Sequence, residues 1–96
     1  MIARVAKWQT KLDKIDEGLK SWKEGVVPTA KLRKGFRSGY LLIDRKTGES
    51  ISIGFWDSEK DAIDDERSGQ YQKRVDIGKS IYKVPPVQKL YEVVQA

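Results

Sequence analysis

The chain has 96 residues, a formal net charge of +5, and neither cysteine nor histidine. Its length favours a single domain over residues 1–96 with one modest core. The missing side chains exclude disulfides, thiolate chemistry and every Ser-His or Cys-His nucleophile. No apolar run approaches the roughly 20 residues that a membrane span needs, and the first residues lack the pattern of a signal peptide. We therefore expect a cytoplasmic protein with no membrane association.

The first strand is predicted over residues 2–9, with Val5 on one face and Trp8 on the other. Thr10 followed by Asp13 resembles a capping box and predicts the start of a helix. Behind it, apolar residues recur every three or four positions, at 12, 15, 19, 22, 26 and 30. This spacing predicts an amphipathic helix that lies against the sheet.

A β-hairpin is the clearest signal in the sequence. The preceding helix should kink or restart near Val27, because Pro28 has no backbone N–H, and end at Gly35. Two β-rich runs follow, Phe36–Asp44 and Glu49–Trp56. They flank a polar turn in which Gly48 can adopt the positive φ of a tight hairpin.

The second half predicts a broken helix and a last strand. Ser58 with Asp61 forms another capping-box candidate. Ser68-Gly69 should divide the helix into two pieces, and Pro85-Pro86 should close the segment. The last strand is predicted over Val87–Gln95.

The predicted order is strand, helix, strand, strand, helix, strand. With right-handed crossovers, this order gives an α+β, ferredoxin-like βαββαβ domain with a four-stranded antiparallel sheet and two kinked helices on one face. In the second strand, Tyr40 and Leu42 point to one face while Leu41 and Ile43 point to the other, so both faces carry apolar groups. The helices can cover one face only, and we expect a homodimer to cover the second.

Short motifs along the chain carry a family resemblance. They are Gly35-Phe36, Gly39-Tyr40-Leu41-Leu42, Asp44-Arg45, the junction Phe55-Trp56-Asp57-Ser58-Glu59, and Tyr91-Glu92-Val93. With these motifs the chain resembles the antibiotic-biosynthesis-monooxygenase (ABM) type of the dimeric α/β-barrel superfamily. The resemblance implies a homodimer with its two sheets packed face to face, and a ligand pocket in each subunit between sheet and helices. It also implies that Trp56, at the end of the third strand, lines that pocket.

Other side chains are predicted to share the pocket with Trp56. Trp22 and Tyr71 lie on the apolar faces of the two helices that are predicted to face the sheet. Tyr40 is four residues after Phe36 in the second strand, so the two side chains are predicted to point to the same face. Arg4 of the first strand is a candidate anchor for a carbonyl or carboxylate group. Each residue also has a structural alternative, since aromatic side chains fill cores and Arg4 can face solvent instead.

The resemblance implies binding of a small aromatic or polyketide-like molecule, with cofactor-independent monooxygenation as the accompanying chemistry. Such a reaction needs no metal or flavin, because a phenolic substrate reacts with oxygen once it is deprotonated. The haem-degrading members use an asparagine and a histidine, and this chain has neither. No candidate acid or base has a partner that marks it as catalytic, so a non-catalytic small-molecule-binding or accessory homodimer is the alternative.

Two further functions are disfavoured. A nucleic-acid-binding dimer would use the basic segment 31–37 as phosphate contacts, but acids and bases alternate elsewhere and no RNA-binding aromatic motif is present. The acidic run Asp64–Glu66 lacks the spacing and central glycine of a calcium loop, and acids are common in the first turns of helices. We therefore predict no metal site.

Overall fold

A computed structural model describes residues 1–96 and shows a four-stranded antiparallel sheet covered on one face by helices. The strands are β1 (Ile2–Thr10), β2 (Phe36–Ile43), β3 (Glu49–Trp56) and β4 (Tyr82–Glu92), in the order β2-β3-β1-β4. The helices are α1 (Ile15–Ser21), α2 (Val27–Lys31), α3 (Glu59–Arg67) and α4 (Gln70–Ile77). The predicted ferredoxin-like α+β architecture is confirmed. None of the helices is both long and apolar enough to cross a lipid bilayer.

The first helical segment differs from the prediction at its start, while its break lies where it was predicted, since α2 begins at Val27. Thr10 does not cap it, because its hydroxyl is buried in the sheet against Ser50. The irregularity is a π-helical turn at Trp22–Val26 that joins α1 to α2, one turn before Pro28. Pro28 is the second residue of α2 and removes one backbone donor directly after this turn.

The hairpin forms as predicted, with Gly48 at φ +81°. A Cβ at this position would lie 2.2 Å from the carbonyl oxygen of Thr10, so the turn also needs the close approach that only glycine allows. At the other end of the hairpin, β2 contains a bulge. Phe36 pairs with Trp56 and Ser38 with Phe55, which leaves Arg37 as an extra residue.

The second helical segment confirms two predicted signals. The Ser58 hydroxyl accepts a hydrogen bond from the Asp61 N–H at 3.2 Å, and Gly69 separates α3 from α4 at φ +86°. The prediction for the last strand was wrong at both ends, because β4 begins at Tyr82 and ends at Glu92. It passes through Pro85 and Pro86, which is possible because β4 is an edge strand and need not donate every ladder hydrogen bond.

The sheet has one covered face and one open face. Arg4, Ala6, Trp56 and Gly39 lie on the helix side. We define the open face by the residues that point away from the helices, which include Val5, Lys7, Tyr40, Leu42, Ile51, Ile53, Phe55, Val87 and Tyr91. Tyr40, Leu42, Val87 and Tyr91 are each at least 45% exposed. A large part of the chain's apolar surface is therefore uncovered by its own helices.

Candidate functional site

A cavity of about 120 Å³ lies between the covered face of the sheet and the helices. Its walls are mostly apolar, with Trp22, Leu41, Trp56 and Ile81 among them. Engineered cavities of roughly 150 Å³ hold a benzene molecule. The volume is therefore that of about one aromatic ring.

Trp56 is both a core residue and a wall of the cavity. Its side chain is almost fully buried, at 2% exposure, and its ring meets Phe36 edge to face with 5.4 Å between centroids. The indole Nε1 donates no hydrogen bond to any protein group, although Trp56 lines the cavity. The only completely buried side-chain polar atoms without a partner are Arg4 Nε and Gln88 Oε1, so Trp56 Nε1 keeps some accessible surface through which a ligand acceptor can reach it.

Arg4 points inward from β1, with 5% of its surface exposed. Its Nη1 donates to Asp65 Oδ2 at 2.9 Å and its Nη2 donates to the Ala62 carbonyl. The guanidinium also stacks on the Tyr71 ring, with its Cζ 4.6 Å from the ring centroid. Arg4 therefore does not face solvent, as the structural alternative proposed. Two of its N–H bonds already donate to protein groups.

Asp65, the carboxylate partner of Arg4, belongs to a larger group, the Asp65 cluster, which consists of Asp65, Arg4, Arg33 and Arg74. Asp65 is 1% exposed and also accepts hydrogen bonds from Arg33 Nε at 3.1 Å and from both terminal nitrogens of Arg74. Burial alone would raise the pKa of the Asp65 carboxyl, but the hydrogen bonds and charges of Arg74 and Arg4 outweigh it and lower the pKa below its usual range. Asp65 is therefore ionised at neutral pH.

Two tyrosines flank the cavity as neutral phenols. Burial raises the pKa of Tyr71, although the nearby Arg4 charge opposes the shift. Burial raises the pKa of Tyr82 to about 12, and its hydroxyl donates to the Val75 carbonyl at 2.8 Å. Neither phenol can act as a base near neutral pH. No group of three or more His, Cys, Asp or Glu side chains that could hold a metal ion is present.

Three polar side chains form a closed hydrogen-bond chain at the β1–β3 end of the cavity. Trp8 Nε1 donates to Thr10 Oγ1 at 3.0 Å, Thr10 Oγ1 lies 2.8 Å from Ser50 Oγ, and Ser50 Oγ donates to the Gly48 carbonyl at 3.0 Å. Each hydroxyl proton is used within the chain. Ser50 is therefore a structural group and has no base beside it that would activate it as a nucleophile.

Of the predicted site residues, the structure brings Trp56, Trp22, Tyr71 and Arg4 together around the cavity. Tyr40 is elsewhere, on the open face, where it is 58% exposed and packs edge to face on Phe55. The bulge at Arg37 is the reason, because one extra residue reverses which face every later residue of β2 points to. Gly39, not Tyr40, faces the helices, and a Cβ there would lie 3.7 Å from the Trp22 ring.

Sequence reasoning missed Asp65 and Arg74. We attributed the acidic run in α3 to the helix dipole, but Asp65 lies three residues after the buried Ala62 and shares its inward face. Arg74 likewise lies three residues after the cavity-lining Tyr71 on α4. A charged residue in register with a helix's buried positions was the signal that could have found both.

No protein-family model matches the chain. Among curated sequences, uncharacterised proteins of two Mycobacterium tuberculosis strains are each 37% identical over 46 residues. The match covers 48% of this chain and spans only 20% of the length of those relatives.

Solved structures resemble the chain over almost its whole length. A monooxygenase from Streptomyces coelicolor in complex with nanaomycin D has a TM-score of 0.77 at 15% identity, covering 99% of this chain and 88% of that one. SnoaB, a cofactor-independent oxygenase from Streptomyces nogalater, has a TM-score of 0.73 at 10% identity, covering 99% and 94%. An antibiotic biosynthesis monooxygenase reaches 0.75 at 18% identity, covering 99% and 100%. These likenesses confirm the ABM-type fold that the sequence motifs predicted.

Proposed function

From the ABM-type fold and its cavity, we propose that this chain binds a small aromatic molecule between the sheet and the helices. The observation that carries the proposal is the unpartnered indole Nε1 of Trp56 in the wall of a mostly apolar cavity. Apolar walls with a few polar groups are typical of small-molecule sites. Trp22 and Trp56 supply aromatic surface for a ring, while Trp56 Nε1 and Arg4 supply donors that orient it.

A second candidate function is cofactor-independent oxygenation of a phenolic ligand in the same cavity. The fold supports it, since the chain shares that fold with proteins described as oxygenases. The buried arginines would stabilise a phenolate formed by the substrate's own ionisation, and no protein base is needed. Conversion of a phenol to a quinone then consumes one O₂, places one oxygen atom on the ring and releases the other as water.

The absence of a base from the cavity wall favours binding over turnover. Asp65 is held by three arginines, and the phenols of Tyr71 and Tyr82 stay protonated. The substrate would therefore have to carry an acidic phenol of its own. A non-catalytic binding or accessory protein remains the proposal if no such phenol reacts.

Oxygen consumption with a series of phenols and naphthols of falling pKa separates the two functions. Oxygenation predicts one O₂ taken up per quinone formed, with rates that rise as the pKa of the phenol falls. Trp56→Phe should lower kcat/KM by about tenfold, the value of one lost hydrogen bond of roughly 1.4 kcal/mol. Tyr40→Phe is the control and should retain full activity, because Tyr40 lies outside the cavity. Binding of these phenols without oxygen uptake would reject the oxygenase and leave the binding function.

We also propose that the protein is a homodimer in which the open faces of two sheets pack against each other. The support is the open face itself, with Ile51, Ile53 and Phe55 of the central strand β3 flanked by exposed Tyr40 and Leu42. An antiparallel sheet commonly packs its apolar face against other elements and leaves a polar face in water. In this sheet both faces are apolar, so each is expected to pack against something. A second copy of the same face offers the same shape and polarity, as a twofold interface requires.

A further inference from the structure

We propose that the ligand of this cavity is a single-ring aromatic acid bound as its anion. The inference rests on the proposed binding function and adds the charge and the size of the ligand. Both follow from the composition and volume of the cavity wall.

All charged side chains in the cavity wall are positive. Arg4 and Arg74 are the only charged residues that line the cavity, and no aspartate or glutamate lines it. Asp65, the counterion of both arginines, lies behind the wall. A ligand in the cavity therefore meets guanidinium groups, whose charge favours an anion and disfavours a cation.

The Asp65 cluster also contains more positive charge than negative charge. Three guanidinium groups share the one buried carboxylate of Asp65. The only further acid nearby is Glu66, whose carboxylate is 45% exposed and lies 3.9 Å from Arg4 Nη2. Because buried charges are costly unless they are paired, the two arginines of the wall leave an incompletely neutralised positive site.

The guanidinium groups have hydrogen-bond donors to spare. Arg4 and Arg74 have five N–H bonds each, and together they make four hydrogen bonds, two to Asp65 from Arg74 and one each to Asp65 and Ala62 from Arg4. Arg4 Nε also has no partner but is completely buried and does not face the cavity, whereas the unpartnered Arg74 Nε is not completely buried. A carboxylate can accept several of the remaining N–H bonds at once, whereas a neutral carbonyl has fewer lone pairs and no charge.

The cavity volume limits the ring system. At about 120 Å³, the space is that of about one aromatic ring. The aromatic wall formed by Trp22 and Trp56 and the charged wall formed by Arg4 and Arg74 belong to the same cavity. A benzoate-sized molecule can therefore place its ring and its acid group against these two walls simultaneously.

Isothermal titration calorimetry with three probes tests the inference on the unmodified protein at pH 7. Benzoate and benzamide have nearly the same shape but differ in charge, and naphthalene-2-carboxylate keeps the charge and adds a ring. We expect benzoate to bind at least about tenfold more tightly than benzamide, as loss of a charge-assisted hydrogen bond predicts. Naphthalene-2-carboxylate should bind more weakly than benzoate, because its second ring exceeds the cavity.

The results distinguish failure of the charge and size preference from failure of the proposed binding site. If benzamide binds as tightly as benzoate, the acid preference is wrong while the aromatic site stands. If naphthalene-2-carboxylate binds more tightly than benzoate, the single-ring limit is wrong. If none of the three binds, both the inference and the proposed binding function fail.

Two charge-removing variants locate the acid group. Arg74→Gln should reduce the preference for benzoate over benzamide to within about twofold, because it removes one of the two charges of the wall. Arg33→Gln is the matched control, since it removes a charge and a hydrogen bond from Asp65 without altering the cavity wall. It should retain the full preference. Should Arg74→Gln fail to fold, the comparison of probes on the unmodified protein still decides the inference.

Discussion

Replacing Asp65 by asparagine is expected to lower the free energy of unfolding by about 3–5 kcal/mol, the usual cost of leaving buried charges without their partner. Arg4 and Arg74 would remain buried at 5% and 6% exposure with no carboxylate between them. The asparagine side chain is uncharged and offers them one acceptor oxygen in place of two. Urea denaturation at pH 7, followed by tryptophan fluorescence, measures the loss.

The neighbouring Asp64→Asn variant is the matched control. Asp64 forms an exposed pair with Lys60 on the outer side of α3, at 53% and 79% exposure. Exposed pairs of this kind contribute little to stability. A loss for Asp64→Asn as large as that for Asp65→Asn would contradict the importance of the buried cluster.

The pH dependence of stability is an independent test of whether the ionised Asp65 carboxylate stabilises the fold. Its folded-state pKa lies below the ordinary value of 3.8, so its contribution is fully present above that value and is lost as the pH falls through the lower, folded pKa. The unmodified protein should therefore lose stability steeply below about pH 4, whereas Asp65→Asn should show a flatter acid limb. Parallel curves for the two proteins would show that Asp65 does not titrate as described.

Replacing Ile53 by lysine is expected to convert the proposed dimer to a monomer. Ile53 lies on the central strand β3 and faces Val5 of β1 on one side and Tyr40 of β2 on the other. A lysine here would place a charge, and its twofold copy, in the middle of an apolar interface, which is costly without a partner. Size-exclusion chromatography with light scattering should change from twice the chain mass to the chain mass of 11.0 kDa.

Gln72→Lys is the control for this experiment because it adds the same charge on the exposed surface of α4, away from the sheet. It should remain dimeric. An unmodified protein that elutes as a monomer would contradict the face-to-face arrangement directly. A dimer that persists in Ile53→Lys would show that the interface lies elsewhere.

The strands and the helix break could be predicted because their signals are local. Alternating apolar residues marked β1 and the hairpin, and the positive φ at Gly48 and Gly69 followed from the residue type. The start of β4 could not be predicted in the same way. Two consecutive prolines usually indicate the end of a helix or strand. Pro85 and Pro86 are compatible with β4 only because β4 lies at the edge of the sheet.

The site was predictable only where a residue's face followed from simple periodicity. Trp22 and Tyr71 line the cavity as their spacing on the helices indicated, whereas Trp56 was expected there from the family resemblance. A single bulge residue, Arg37, moved Tyr40 to the other face. The Asp65 cluster depends on partners far apart in sequence, since Arg4 and Asp65 are separated by 61 positions. No local pattern contains that contact, and it became visible only once β1 and α3 were packed together.

The cavity beneath Trp56 is the proposed ligand site. The most direct test is a two-dimensional ¹H–¹⁵N NMR titration with benzoate, in which the three tryptophans give separate indole N–H signals. We predict a saturable shift that is largest for Trp56, whose Nε1 has no protein partner, and smaller for Trp8, whose Nε1 is held by Thr10. An unmoved Trp56 signal, with shifts confined to residues of the open face or absent altogether, would contradict the account.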